Sequence, residues 1–118
     1  MKQIFSDKAP AAIGPYCHAT VTGSLVFTSG QLGRDMDADV KVQTQQVFEH
    51  LSAVLEAAGS SLDKVVKTTC FLADIKDFAA FNEVYAAVFG EHKPARSCFQ
   101  VAALPKGAKV EVEAVAEL

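Results

Sequence analysis

The sequence predicts one mixed α/β domain, a six-stranded sheet with two helices on one face. Three observations lead there. Short β-rich runs open and close the chain, two segments of helical periodicity lie between them, and one more strand-like run separates those two segments. In chain order the elements read β-β-β-α-β-α-β-β.

Residues 2 to 5 are expected to form the first strand. "HATVTGSLVFTSGQ" holds two β-rich runs around Gly23-Ser24, and a glycine at the first central position suits a type II′ hairpin turn. "LGRDMDADV" is acidic and turn-like, a loop. From about Val42 to Ala58 the period changes to that of a helix: Val47, Leu51, Val54 and Ala58 share a face, with Phe48 and Leu55 beside it. Gly59 stands where a glycine ends a helix. "LDKVVKTTCFLADI" is rich in β-branched residues and reads as a strand. Its alternation places Val66, Cys70 and Leu72 on one face and Val65 and Phe71 on the other. Asp77 is the expected N-cap of a second helix, whose stripe is Phe78, Phe81, Tyr85 and Val88 and whose stop is Gly90. The stretch "KPARSCFQVAALPKGAKVEVEAVA" closes the chain as two strands joined by a turn.

Bulk properties narrow the function classes. A chain of 118 residues is one domain, residues 1–118, long enough to bury a core without disulfides. Its formal charge of −3 lacks the basic excess of a nucleic-acid binder. Three widely spaced cysteines, Cys17, Cys70 and Cys98, contain no C-x-x-C and fit a reducing compartment. The N-terminus has no long apolar core of a signal peptide, and no run approaches the roughly 18 apolar residues of a membrane helix. A cytoplasmic protein without membrane or nucleic-acid partners is expected.

Chemistry concentrates in the last two strands. Alternation puts Arg96, Cys98 and Gln100 on one face of the first and Glu111 and Glu113 on one face of the second. The apolar faces should meet the helices, which leaves Arg96 and Glu111 together on the helix-free side. Both faces of the strand around residues 65 to 73 are apolar, so the helix-free side should be covered by another copy of the chain. Arginine presents a planar fork to a small carboxylate, and a nearby glutamate is suited to orient a water. The same two residues would also fit a plain ion pair between chains. His18, His50 and His92 lack metal-ligand spacing, and His50 on the helix is expected to be solvated. No dinucleotide, phosphate-loop or nucleophile-elbow motif occurs. Cys98 has no obvious histidine partner, which favours an inert thiol.

The blocks "GPYCHA", "SGQL" and "AAGSSLDKVVKTTCFLADIKDFAAFNEVYAAVFGEHKPARSCFQVAALPKGAKVEVEAVA" closely resemble the reactive intermediate deaminase family, of the RidA/YjgF type. The likeness spans nearly the whole chain. It implies a chorismate-mutase-like fold, a homotrimer with clefts between subunits, and hydrolysis of 2-imino acids such as 2-iminobutanoate and 2-iminopropanoate to 2-oxo acids and ammonia, without metal or organic cofactor. It further implies that Arg96 holds the substrate carboxylate and that Cys98 lines the pocket. Glu111 would position the attacking water, Tyr16 would pack over the ligand, Ser29 and Gly30 would make polar contacts, and Asn82 would sit at a polar pocket or interface position. Departures from many relatives are a shorter turn after "SGQLG", Ala103 where a basic residue is common, and Phe99-Gln100 in place of a valine-glutamate pair. These bear on substrate range and subunit contacts. Rival readings are a non-catalytic 2-oxo acid binder and a chaperone-like or RNA-cleaving role.

Overall fold

A computed structural model describes residues 1–118. Six strands form one sheet: β1 (Lys2–Ile4), β2 (Ala19–Thr22), β3 (Leu25–Thr28), β4 (Val65–Leu72), β5 (Ala95–Gln100) and β6 (Val110–Glu117). Their spatial order is β1-β2-β3-β6-β4-β5, and all pairings are antiparallel except β4 with β5. Helices α1 (Val40–Ala57) and α2 (Phe78–Phe89) pack together on one face. The expected class, a mixed six-stranded sheet with two helices on one side, is the one observed.

Local chemistry explains most boundaries. Gly23 takes φ +57° in the two-residue turn between β2 and β3, a backbone region closed to most side chains. Helix α1 begins two residues earlier than its periodicity suggests, because Asp39 accepts a bond from Val42 N at 3.0 Å and caps it. It ends in a Schellman motif: Ser60 N donates to Leu55 O and Gly59 N donates to Glu56 O, with Gly59 at φ +88°. Asp77 precedes α2 but its side chain makes no capping bond. Asp74 instead accepts from Lys76 N and starts the short 3₁₀ turn that leads into the helix.

The core lies between helices and sheet. Val47, Leu51, Val54 and Leu55 of α1 and Phe81 of α2 are fully buried against Val26, Cys70, Leu72, Val110 and Val112. Each such side chain contributes about 1.5–3 kcal/mol through removal of apolar surface from water. His50, expected in solvent, is buried, and its Nδ1 lies 2.7 Å from Leu32 O. The helix face that carries it packs on the loop after β3 rather than on water.

Two expectations about the closing strands are overturned. β5 and β6 do not form a hairpin, since β4 lies between them. The connection from β5 crosses the end of β4, where Val101 N donates to Leu72 O and Ala73 N donates to Lys109 O. β6 then fills the central slot between β3 and β4, satisfying backbone groups on both sides. β5 is the sheet edge, parallel to β4 because α2 carries the chain back to the starting end. The faces of β5 are also reversed. Arg96 and Cys98 turn toward α2, whereas Phe99 lies on the helix-free side, its ring 5.3 Å from that of Phe71. A register shift between Val65 and Lys67 likewise breaks simple alternation in β4, so Val65 is buried and Val66 is 40% exposed.

Candidate functional site

The predicted site residues fall into two clusters, one on each face of the sheet. Glu111 belongs to the helix-free face of β6, where Val110, Val112 and Ala114 turn inward. Beside it, Gln31 forms an isolated bridge with Val112, with Gln31 N donating to Val112 O at 2.9 Å. That bridge lays Ser29 and Gly30 along Glu111. A methyl group on Gly30 would come within 2.9 Å of Glu111 Cδ and 3.1 Å of Cγ, so only glycine lets the carboxylate lie flat there.

The N-terminal arm forms the opposite wall. His18 is buried, with Nδ1 accepting from Ser6 N at 2.9 Å and Nε2 facing Pro10 O at 2.8 Å, which fixes residues 6 to 10 against the sheet. Ser29 Oγ donates to Cys17 O at 2.7 Å and ties the arm to the end of β3. Tyr16 stands at the rim, its hydroxyl accepting from Ile13 N at 3.3 Å. Together these residues enclose a cavity of about 530 Å³, floored by Ser29, Gly30 and Glu111 and rimmed by Ile13, Tyr16, Leu32 and Lys106. Burial pushes the Glu111 carboxyl above its ordinary value, and the neighbouring Glu113 charge adds to the rise. Lys106 holds φ +60° on the cavity rim, the one non-glycine residue with positive φ in the chain.

The second cluster lies beneath α2 at the β5 edge. Arg96 Nη1 donates to Asn82 Oδ1 at 2.7 Å, and its Cζ lies 4.7 Å from the Tyr85 ring centroid, 5.5 Å from Phe78 and 5.9 Å from Phe81. The chain's two ion pairs, Arg34–Glu49 and Lys41–Glu83, leave Arg96 without a carboxylate partner. Cys98 is half-buried on the same face. Burial pushes its thiol up, against the opposing pull of Arg96, so a neutral S–H is favoured over a thiolate.

The structure thus gathers Tyr16, Ser29, Gly30 and Glu111 in one place and Asn82, Arg96 and Cys98 in another. It does not bring Arg96 and Glu111 together within a chain, contrary to expectation, because β5 presents the opposite face to the one alternation implied. Phe78, Phe81 and Tyr85, expected as the apolar stripe of α2, surround Arg96 instead of all entering the core: Phe78 is exposed, and Val84 and Phe89 are buried. Leu32 and Lys106, which help rim the cavity, carry no sequence signal of their own. No group of three or more His, Cys, Asp or Glu side chains is close enough to hold a metal ion. No helix is long and apolar enough to cross a membrane.

The family model described as Endoribonuclease L-PSP matches residues 6–118. A 2-iminobutanoate/2-iminopropanoate deaminase of Salmonella typhimurium is 47% identical over 123 residues, covering 98% of this chain and 96% of that protein. A RutC family protein of Pyrococcus horikoshii is 48% identical over 119 residues, covering 96% of this chain and 94% of its own. The crystal structure of Escherichia coli TdcF with bound serine superposes with a TM-score of 0.94 at 44% identity, covering 100% of this chain and 99% of that one.

Proposed function

Since the chain belongs to the Endoribonuclease L-PSP family, the RidA/YjgF/RutC group, we propose that residues 1–118 act as a single RidA-like domain hydrolysing 2-imino acids to 2-oxo acids and ammonia. 2-Iminobutanoate and 2-iminopropanoate are the proposed substrates. The reaction takes place in clefts shared between copies of the chain, in the cytoplasm and without nucleic-acid or membrane partners. The observation that carries this reading is Arg96, a guanidinium with no carboxylate partner, bonded only to a neutral amide and faced by aromatic rings.

Arg96 and Glu111 lie on opposite faces, so one chain holds only half of each site. The helix-free face exposes Phe27, Phe99 and Val66, an apolar surface suited to contact with another copy. β5 is an edge strand, and Arg96 sits on it. A head-to-tail contact that sets this edge against the Glu111 cavity of the next copy would complete a site at every interface. Repeated to closure, such a contact gives a ring, and three copies make the proposed trimer.

In that arrangement the free N–H groups of Arg96 bind the substrate carboxylate in parallel, charge-assisted bonds. Tyr16 covers the ligand, with Ser29, Gly30, Asn82 and Cys98 as polar or lining contacts. Glu111 orients a water toward C2. Water adds across the C=N bond, the imine nitrogen takes up a proton, and collapse of the carbinolamine releases ammonia and the 2-oxo acid. A carboxyl whose affinity for protons is raised by burial is suited to take a proton from that water and pass it to nitrogen. Imines hydrolyse unaided, so acid–base assistance of about 10²–10⁴-fold is enough for useful acceleration.

A threonine dehydratase generating 2-iminobutanoate in the same solution supplies the test. Wild-type protein should speed the appearance of 2-oxobutanoate, and Arg96→Ala should lose about 10²-fold or more of that acceleration while keeping its oligomeric state. Full activity in Arg96→Ala would refute the reading.

A further inference from the structure

Arg96 on β5 and Thr68 on β4 are register partners in parallel strands, and both project beneath α2. Tyr85 of α2 touches both. Its hydroxyl lies 2.7 Å from Thr68 Oγ1, and its ring is the nearest of the three that face the Arg96 guanidinium, at 4.7 Å. The ring has little freedom to leave. Its centroid lies 5.6 Å from Phe48, 5.6 Å from Phe81 and 4.7 Å from Phe89, and Thr68, which anchors its hydroxyl, is fully buried.

We propose that Tyr85, anchored by Thr68, is the residue that positions Arg96 for anion binding. This rests on the reading of Arg96 as the carboxylate receptor. The physical reason lies in what an aromatic face can and cannot do. Its quadrupole attracts a cation, but it offers no in-plane acceptors to the guanidinium fork. A carboxylate in the same place would hold Arg96 more tightly and also occupy the donors needed for substrate. Asn82 takes a single N–H at Nη1 and adds no charge. Between them, Tyr85 and Asn82 fix the plane of the guanidinium and leave its charge and most of its donors free. Burial pushes the Tyr85 phenol up, so it presents a neutral hydroxyl to Thr68.

The test combines kinetics on 2-iminobutanoate generated in situ with calorimetric binding of 2-oxobutanoate, on the full-length oligomer. Tyr85→Leu should raise KM and the Kd for 2-oxobutanoate about 3- to 30-fold with kcat little changed. Tyr85→Phe keeps the ring and loses the same anchoring bond as Thr68→Val, so its KM should rise only about 2- to 5-fold. Thr68→Val keeps the side-chain shape, removes the anchor together with the weak bond accepted from Cys70 Sγ, and should raise KM about 2- to 5-fold. In an Arg96→Ala background Tyr85→Leu should add no further loss, because its effect runs through the guanidinium. Unchanged KM and Kd in Tyr85→Leu, or an equal extra loss in the Arg96→Ala background, would overturn the proposal. If Tyr85→Leu does not fold, Thr68→Val decides, and wild-type KM there overturns it too. Wild-type KM in Arg96→Ala would instead overturn the receptor reading and this proposal with it. Loss in Arg96→Ala beside an indifferent Tyr85→Leu overturns this proposal alone.

Discussion

Strands β6 and β5 each carry one of the two charged groups of the proposed site, and they hold them by different means. β6 is central, bonded to β3 on one side and β4 on the other, with Val110, Val112, Ala114 and Ala116 buried in strict alternation. Its glutamate is placed by the pleat: with one face locked into the core, Glu111 must stand on the other. β5 is bonded on one side only, and none of its residues is buried. Its arginine is placed by what covers it, the rings and amide of α2. A charged group can lie on the helix-facing side because β5 is an edge strand with no fully buried residue, and the long side chain lies half-buried along the rings of α2. A central strand thus fixes a side chain through backbone geometry, an edge strand through its neighbours.

That contrast predicts unequal tolerance. An aspartate at Val112, where no side chain reaches water, should cost about 4 kcal/mol or more and abolish the fold, whereas Ser97→Asp on exposed β5 should leave the monomer fold intact and weaken assembly. Circular dichroism with sedimentation separates the outcomes. A folded Val112→Asp would break the comparison.

A smaller effect is expected at Gly30. Its added methyl meets the end of a flexible side chain, so Gly30→Ala should change thermal stability little. Displacement of Glu111 by about an ångström should nonetheless lower kcat by roughly 10²-fold. An active Gly30→Ala would show that the position of Glu111 matters less than its confinement suggests.

The least of these effects concerns pH. The folded state raises the affinity of Glu111 for its proton, so ionising it opposes folding. Below the ordinary carboxylate range both folded and unfolded chains are protonated and no penalty exists. As pH rises past that range and through the raised folded value, stability is lost. Glu111→Gln should therefore be more stable than wild type near pH 7, equal to it near the acid limit, and inactive. Thermal melts across that window check the sign, and a Glu111→Gln less stable than wild type at pH 7 would contradict it.

The parts of the fold that follow from local chemistry were legible from the residues. Gly23 in its turn, Gly59 in its C-cap and the Val47–Leu51–Val54 face of α1, with Phe48 and Leu55 beside it, each obey a rule that acts within a few positions. The grouping of Ser29 and Gly30 with Glu111 follows from the sequence only through resemblance to a family, since some eighty positions separate them. Pairing order has no local signal: the residues between β5 and β6 have the composition of a tight turn, while the connection crosses the end of β4. The burial of His50 and the exposure of Val66 have a related cause: what covers a helix face, and where a ladder shifts by one residue, are settled by distant segments.

Composition, periodicity and turn chemistry by themselves determined the number and kind of elements, the apolar stripe of α1 and the inward face of β6, because each depends on neighbours in the chain. Only the tertiary structure decided that β6 enters between β3 and β4, that Arg96 turns under α2, and that arginine and glutamate part to opposite faces. Those outcomes depend on which backbone edges remain unpaired and which surfaces remain uncovered once the other elements are in place, and no local window of sequence holds that information.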